Sequence, residues 1–386
     1  MSKFNVGSSF GRSLGRYPSR RQFLQFSAAA VSAIALSNCN RDPGAGEQSA
    51  SPQDVSQATG DDAKTLHIYT WADYNSEEIY TRFTSETGIK VVADIYDSNE
   101  TMLAKLQAGG GTQYSVIYPS DYMVRQMVDL GLLNTLDAAR IQGQENLLER
   151  WKNPAYDANN AHSIPFNSGT TGFIYNTKII KEEPQDWNFL WDNADALKGK
   201  ITLLDDVRET FGMALKSLGY SLNSTDPAQI KEAYQKLVTL KPSIAQFITF
   251  GWEDQLIAGD LALCMTYSLL GNGLPTDNPH LTYVIPQSGT SVWTDAIAIP
   301  KTAPNLEAAY AWINFMLKPE NAAEAAKLLS LTPPNAAAIA LLPSELKDNP
   351  KLFPTEQFLS KAEGITPVDD ATSQLYDKYW TDLRSA

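Results

Sequence analysis

Strand and helix patterns alternate along this chain from residue 66 onward, and this alternation restricts the fold more than any other feature. The predicted strands are 66–70, 89–96, 114–118, 170–176, 200–204, 261–267 and 296–300. Helical patterns follow the strands; Ser76, for example, can cap a helix that ends at Gly88. A β-α-β series predicts an α/β fold with a parallel sheet and helices on both faces. Because the series restarts beyond Trp151, two lobes are favoured over one extended sheet.

The first 65 residues lack this pattern, and their beginning is typical of an export signal. Residues 1–38 contain five basic and no acidic side chains, and their apolar stretch, 23–36, is too short to span a bilayer stably. The stretch Ser19-Arg20-Arg21-Gln22-Phe23-Leu24 is similar to a twin-arginine export signal. Leu36-Ser37-Asn38-Cys39 resembles a lipobox, from which Asn38 departs. This resemblance predicts that Cys39 is lipidated. The alternative is ordinary cleavage of the signal nearby. Residues 39–65 are predicted to form a flexible tether.

The rest of the chain is long enough for two lobes with separate cores. We predict that lobe 1 comprises residues 66–168 and 294–337, and that lobe 2 comprises residues 169–293 and 338–386. Without the five basic residues of the signal, 26 basic and 44 acidic residues remain, a net charge of −18. Such a surface repels nucleic acid and attracts cations. We therefore expect a periplasmic protein, held at a membrane if Cys39 is lipidated, that does not bind nucleic acid.

Aromatic and acidic residues recur where predicted strands end, which is where ligands of open α/β sheets bind. These residues are Trp71, Asp73, Tyr74, Ser120, Asp121, Tyr122, Asp205, Asp206, Glu209 and Tyr267, with Trp293 and Asp295 just ahead of the strand at 296. Carboxylates pair with ammonium groups, and aromatic faces attract cations and pack against methylenes. The pattern fits a linear polyamine. Taken singly, each tryptophan could be a core residue and each acid a helix cap.

Several stretches match one known family. They are Tyr69-Thr-Trp-Ala-Asp-Tyr74, Asp97-Ser-Asn-Glu-Thr-Met102, Tyr118-Pro-Ser-Asp-Tyr122, Leu204-Asp-Asp-Val-Arg-Glu209 and Val292-Trp-Thr-Asp-Ala-Ile-Ala-Ile-Pro300. From residue 66 to 383 the chain resembles the spermidine/putrescine-binding proteins of polyamine ABC importers. The resemblance implies a type II periplasmic-binding-protein fold, in which crossing hinge strands join two lobes around a ligand cleft. It also implies an ABC permease of the inner membrane as the partner, and we expect a monomer.

The resemblance implies a role for each matched residue. The walls around the ligand methylenes would be Trp71, Tyr74, Tyr267 and Trp293. The ammonium acceptors would be Asp206, Glu209 and Asp295, with Ser120 and Tyr122 as polar contacts near one end and Asp73 near the other. Arg208 would be a partner of the acids rather than a ligand contact. The chain departs from the family pattern at Ala72, Leu331 and Thr366, so the choice between spermidine and putrescine stays open.

Other classes of function remain open at this point. An exported hydrolase could use paired carboxylates, although the three histidines are scattered and the chain has no nucleophile elbow or phosphate loop. Within the binding class, the solute could instead be ferric ion or thiamine. A structural lipoprotein would not need acids and aromatic residues gathered at strand ends. We expect no cofactor, no metal ion and no catalytic residue, and binding without turnover would separate a carrier from an enzyme.

Overall fold

The computed structural model of the protein describes residues 64–72, 74–96 and 98–385. The predicted export signal, Cys39, Asp73 and the predicted tether up to residue 63 lie outside these residues. The tether prediction is wrong at its last residue, because Thr65 already pairs with Lys90 in the first two strands. Within the described ranges, no helix combines the length and the apolar character that crossing a bilayer requires.

The described residues form a hydrogen-bonded set of nine strands. The strands are β1 (Thr65–Trp71), β2 (Lys90–Tyr96), β3 (Val116–Ile117), β4 (Ser163–Asn176), β5 (Ile201–Leu203), β6 (Ile244–Phe247), β7 (Leu263–Tyr267), β8 (Leu281–Val284) and β9 (Val292–Ala298). Their order is β2-β1-β3-β9-β4-β7-β5-β6, and β8 also pairs with β4. Strand β1 runs parallel to β2 and β3, and β5 runs parallel to β6 and β7, as the alternating pattern predicts.

Helices connect and flank these strands. In the described residues they are α1 (Glu77–Thr87), α2 (Asn99–Gln107), α3 (Asp121–Asp129), α4 (Glu149–Lys152), α5 (Phe189–Asp192), α6 (Val207–Ser217), α7 (Pro227–Leu240), α8 (Glu253–Ala258), α9 (Ser268–Asp277), α10 (Leu306–Leu317), α11 (Pro319–Leu329), α12 (Ala336–Leu341), α13 (Ser344–Lys347), α14 (Glu356–Leu359) and α15 (Asp370–Ser385). Local signals act as predicted at α1. Ser76 Oγ accepts a hydrogen bond from the Ile79 N–H at 3.2 Å, and Gly88 ends the helix with a φ of 74°, which favours glycine.

Two strands, β4 and β9, cross between the two parallel parts of the sheet. The first half of β4 pairs antiparallel with β9, and its second half pairs with β7 and β8. The prediction that β4 begins at residue 170 is wrong, because the strand begins at Ser163. Pro165 and Gly169 interrupt the sequence pattern, and Pro165 is accommodated beside a β-bulge. The prediction for β9 is also wrong, since Trp293 and Asp295 lie inside this strand and not ahead of it.

Two large hydrophobic cores share no residue. One contains Phe83 and Trp312, whose ring centroids lie 4.9 Å apart, and it draws on residues 66–166 and 297–331. The other contains Phe211 of α6 and Tyr376 of α15, whose ring centroids lie 5.4 Å apart, and it draws mainly on residues 173–284. Separate cores of this kind are what two α/β lobes require. The predicted lobe boundaries stay a prediction.

Candidate functional site

Strand β9 and the start of α3 bring together Tyr74, Ser120 and Asp295, which we call the Asp295 cluster. Asp295 is buried; its Oδ1 accepts a hydrogen bond from Ser120 Oγ at 2.6 Å, and its Oδ2 accepts one from the Tyr74 hydroxyl. Ser120 precedes α3 but makes no side-chain capping bond to it, so a cap alone does not explain this hydroxyl. Burial raises the pKa of Asp295 to about 6, and the hydrogen bonds from Ser120 and Tyr74 oppose that rise.

A hydrogen-bonded chain extends the Asp295 cluster toward α2. Asn99 Nδ2 donates to Ser120 Oγ at 3.0 Å and lies 3.1 Å from the Tyr122 hydroxyl oxygen. The Tyr122 hydroxyl in turn donates to Glu100 Oε1 at 2.9 Å. Sequence reasoning assigned Tyr122 to the site but missed Asn99 and Glu100. The signal was present, because both residues lie within four positions of the carboxyl end of β2.

The start of α6 forms a second group with Asp206, Glu209, Tyr267 and Ser291, which we call the Glu209 cluster. Asp206 Oδ1 accepts a hydrogen bond from the Glu209 N–H at 3.0 Å, so this acid does cap the helix. Its other oxygen accepts a hydrogen bond from the Tyr267 hydroxyl at 3.2 Å. Ser291 Oγ lies 2.8 and 2.7 Å from the two carboxylate oxygens of Glu209. Sequence reasoning missed Ser291, whose position depends on β9 pairing.

The two carboxyl groups of the Glu209 cluster have raised pKa values, and the charge of Asp206 contributes to the shift of Glu209. Burial, followed by the charge of Asp206, raises the pKa of Glu209 to about 8. Burial also raises the pKa of Asp206, against the hydrogen bonds that it accepts from the Glu209 N–H and Tyr267. Neighbouring buried acids share protons in this way because two like charges repel each other strongly away from water. Both shifts make these carboxyl groups harder to ionise than free ones.

Asp121 is a further buried acid, to which the sequence assigned no role beyond a helix cap. Its Oδ2 accepts a hydrogen bond from the Thr294 N–H at 3.1 Å, and its Oδ1 accepts one from the Tyr122 N–H at 2.7 Å. Burial, and then repulsion by Asp295, raise the pKa of Asp121 to about 7. The Thr294 bond ties the backbone of β9 to the start of α3. Asp121 therefore helps to position Asp295 beside Ser120.

The two clusters lie within electrostatic reach of each other. After burial and the closer charge of Asp206, Asp121 contributes to the raised pKa of Glu209. After burial and the closer charge of Glu100, the charge of Asp206 likewise contributes to the raised pKa of Tyr122. Elements that are distant in the sequence thus place their acids around one region of the molecule. This arrangement is the convergence that the rule about strand ends predicts.

The acids in this region form no close ion pair with a basic side chain that the structure describes. Among the described residues, no Lys or Arg lies within 4.0 Å of a carboxylate oxygen of Asp121, Asp206, Glu209 or Asp295. The expectation that Arg208 is a partner of the acids holds at a distance: its charge helps to lower the pKa of Asp206, against the larger effect of burial, although it makes no close ion pair with it. Its guanidinium donates instead to the Thr366 carbonyl at 3.0 Å and to Asn223 Oδ1 at 3.1 Å. A cationic ligand is the natural partner for acids in this state.

Asp205, the neighbour of Asp206, lies outside the site. It is exposed at the protein surface, where its Oδ1 accepts a hydrogen bond from the Arg384 guanidinium at 2.6 Å. The two adjacent acids after β5 thus face different surroundings, one in solvent and one among buried groups.

Aromatic rings lie beside both clusters. Tyr267 meets Trp293 edge to face, with ring centroids 5.8 Å apart. The indole of Trp293 covers Gly169, where an added Cβ would lie 2.4 Å from a ring carbon, so a larger residue at this position would displace the ring. Trp71 packs against Tyr96 at 4.6 Å and donates from its indole N–H to the Tyr118 carbonyl at 2.9 Å. Trp71 also packs against the core that contains Phe83 and against a smaller core that contains Tyr69 and Met123, which agrees in part with the interpretation as a core residue.

Most of the residues predicted for the site thus come together. They belong to the two clusters, to the hydrogen-bonded chain that extends the Asp295 cluster, or to the ring contact beside Tyr267. These residues are Tyr74, Ser120, Tyr122, Asp206, Glu209, Tyr267, Trp293 and Asp295. Asp73 lies outside the described residues, so its role stays a prediction.

Comparison with known proteins places this arrangement in a family. The family model described as bacterial extracellular solute-binding protein matches residues 78–355. The chain belongs to this family. Spermidine/putrescine-binding periplasmic protein 1 of Haemophilus influenzae is 33% identical over 368 residues, which cover 95% of this chain and 99% of that protein. The spermidine/putrescine-binding periplasmic protein of Salmonella typhimurium is 36% identical over 332 residues, or 86% and 94% of the two chains.

A solved structure supports the same family relationship. The spermidine/putrescine ABC transporter substrate-binding protein of Streptococcus pneumoniae is 38% identical and aligns with a TM-score of 0.75, covering 83% of this chain and 99% of that one. The predicted type II periplasmic-binding-protein fold is therefore confirmed. The family also makes this chain an extracytoplasmic binding protein, and the named relatives are transport proteins and not enzymes.

Proposed function

We propose that this family member captures a polyamine, spermidine or putrescine, in the cleft between its lobes and delivers it to an ABC permease of the inner membrane. One observation carries the choice of ligand. Among the described residues, no Lys or Arg lies within 4.0 Å of the carboxylates of Glu209 on α6 and Asp295 on β9, and Tyr74, Tyr267 and Trp293 lie beside this group of acids. The relatives named above are spermidine/putrescine-binding proteins, which supports the same class of ligand.

The chemistry of a polyamine matches this arrangement. Each ammonium group needs an anionic or strongly accepting partner, because an unpaired charge away from water costs several kcal/mol. The Asp295 and Glu209 clusters would supply such partners at two separate points. The methylenes between the ammonium groups pack against aromatic faces, and each cation–aromatic contact contributes on the order of 0.5–2 kcal/mol. A neutral solute would leave the acids unpaired and is therefore disfavoured.

Export and membrane attachment form a separate part of the proposal. A twin-arginine signal would direct the chain to the periplasm, and a lipid on Cys39 would hold it at the membrane beside its permease. We expect the protein to act as a monomer. Mass spectrometry of the N-terminal peptide from the membrane fraction tests the anchor, and an unmodified or absent Cys39 would reject it.

Calorimetric titration tests the ligand class. The mature chain, produced without residues 1–39 and so without Cys39, is titrated with spermidine, putrescine, ferric citrate and thiamine. We expect one molecule of spermidine or putrescine to bind per chain, and we expect the polyamine to be recovered unchanged. If binding heat were measured only with ferric citrate or only with thiamine, that solute, and not a polyamine, would be the ligand. Conversion of the ligand would instead favour the hydrolase that paired carboxylates allow.

A further inference from the structure

Asn167, in the first half of β4, is a buried polar residue that the fold leaves unsatisfied. Asn167 is 1% exposed, and neither its Oδ1 nor its Nδ2 has a hydrogen-bond partner among the described residues. A buried amide without partners is rare in folded proteins, since each unmade hydrogen bond carries a cost in stability. Such a group requires an explanation other than folding.

Other asparagines with the same burial show what the fold normally provides. Asn176 donates to the Leu256 carbonyl at 2.9 Å and accepts from the Lys178 N–H at 2.9 Å. Asn321 and Asn335, which are also 1% exposed, are likewise bonded at both ends of the amide. These side chains hold backbone groups in place. Asn167 does not, so its amide has no comparable structural role.

The position of Asn167 points to the candidate site. In the β4–β9 ladder it stands directly opposite Asp295, and the next pair along the ladder is Gly169 with Trp293. Directly paired residues of an antiparallel ladder share one face, and so do residues two apart along a strand. Asn167 therefore lies on the same face as the proposed ammonium acceptor and the aromatic wall. The bulge between Pro165 and Asn167 sets this register, because it shifts the strand by one residue.

We infer that Asn167 is a ligand-contact residue, whose amide oxygen accepts an N–H of the same ammonium group that Asp295 holds. This inference rests on the proposed function. A primary ammonium has three donors, so one carboxylate does not satisfy it, and a neutral acceptor beside that carboxylate completes the set without adding a second charge. Two buried acids at this point would repel each other. A neutral amide avoids that repulsion.

Asn167→Leu is the decisive variant, because leucine keeps the same number and branching of side-chain heavy atoms and removes both polar groups. If the amide serves the ligand and not the fold, the melting temperature of the ligand-free variant should equal or exceed that of the wild type. The affinity for spermidine or putrescine should fall about tenfold or more, as for the loss of one hydrogen bond to a charged group. Calorimetry for the dissociation constant and thermal unfolding for stability give the two readouts.

Asn176→Leu is the matched control, with the same substitution, strand and degree of burial. It removes two hydrogen bonds from the side chain to backbone groups at the far end of β4, so the melting temperature should fall while the dissociation constant stays within about twofold. The two variants should thus show opposite effects.

Each outcome of the comparison decides the inference. An Asn167→Leu chain that binds as tightly as the wild type would overturn the contact and leave the proposed function standing. A clear fall in its melting temperature would show that the amide serves the fold, and it would overturn the inference as well. A wild-type chain that binds no polyamine would overturn the proposed function itself, and with it the contact.

Discussion

The Asp295 and Glu209 clusters both lie at the start of a helix, yet the capping residues of the two helices behave differently. Ser120 leaves the backbone of α3 uncapped and gives its hydroxyl to Asp295. Asp206 caps α6 through one oxygen and offers only the other to the tyrosine hydroxyl of Tyr267. A residue in the same local position can therefore serve the site alone, or the site and the helix together. Only tertiary contacts distinguish the two cases.

Proton occupancy also separates the two clusters. With a pKa of about 6, Asp295 is mostly ionised at pH 7, whereas Glu209, with a pKa of about 8, is mostly protonated. Burial raises both pKa values, and hydroxyl donors oppose the rise in both, but Glu209 also faces the charge of Asp206. At neutral pH the Asp295 cluster therefore offers a charge that is ready for an ammonium. Glu209, in contrast, must release its proton before it can pair with an ammonium group.

We expect the largest effect from Asp295→Asn. The variant removes the charge that pairs with the ligand at neutral pH, and the ammonium would remain buried without its partner. The affinity for the polyamine should fall at least tenfold at pH 7, as measured by calorimetry.

Asp205→Asn is the control for this variant, because Asp205 is an exposed acid paired with Arg384. Its dissociation constant should stay within about twofold of the wild-type value. If Asp295→Asn matched Asp205→Asn, the Asp295 cluster would have no role in holding a cation.

The next effect, from Glu209→Gln, should depend on pH. Because the free protein holds a proton on Glu209 below pH 8, binding of an ammonium there must expel it, and wild-type affinity should rise between pH 6.5 and 8.5. The acids that face Glu209 are Asp206 and Asp121, and the Arg208 guanidinium is the cation that interacts with it. Putrescine is the ligand for this test, because its two primary amines have pKa values near that of lysine, about 10, and stay largely charged over this range. Glu209→Gln should bind about tenfold more weakly at pH 8.5, but only a few-fold more weakly at pH 6.5.

Calorimetry at the two pH values measures this ratio. If the affinity of Glu209→Gln rose with pH as steeply as the wild-type affinity, the proton released on binding would come from another group. An equal loss at both pH values would mean that Glu209 is already ionised in the free protein.

The difference between the two clusters was only partly readable from the sequence. Acids and aromatic residues after predicted strands identified Asp206, Glu209 and Tyr267, because strand ends are local features. Trp293 and Asp295 were found but placed ahead of their strand. Pairing with β4, and not local propensity, begins β9 at residue 292.

Other residues were missed for the same physical reason. Ser291 and Asn167 carry no local signal, since each meets the acids only through the register of β4 against β9, and that register depends on a bulge at Pro165. Glu100 was within reach of the rule about strand ends. The fold class followed from periodicity, which is local, whereas the crossing strand was obscured by its own proline and glycine.

The smallest expected effect, from Ser120→Ala, tests whether the serine serves the site and not the helix. The variant removes one hydroxyl donor to Asp295, so the affinity for the polyamine should fall only a few-fold, in proportion to a single hydrogen bond. Since Ser120 makes no capping bond, the melting temperature should barely change.

Ser76→Ala is the matched control, because Ser76 does cap α1. Loss of that cap should cost about 1 kcal/mol of stability, a fall of roughly 2–4 °C in melting temperature, with unchanged binding. Thermal unfolding and calorimetry on the two variants give four values. If Ser120→Ala lowered the melting temperature as much as Ser76→Ala and left binding intact, the Asp295 cluster would lose its distinction from an ordinary helix start.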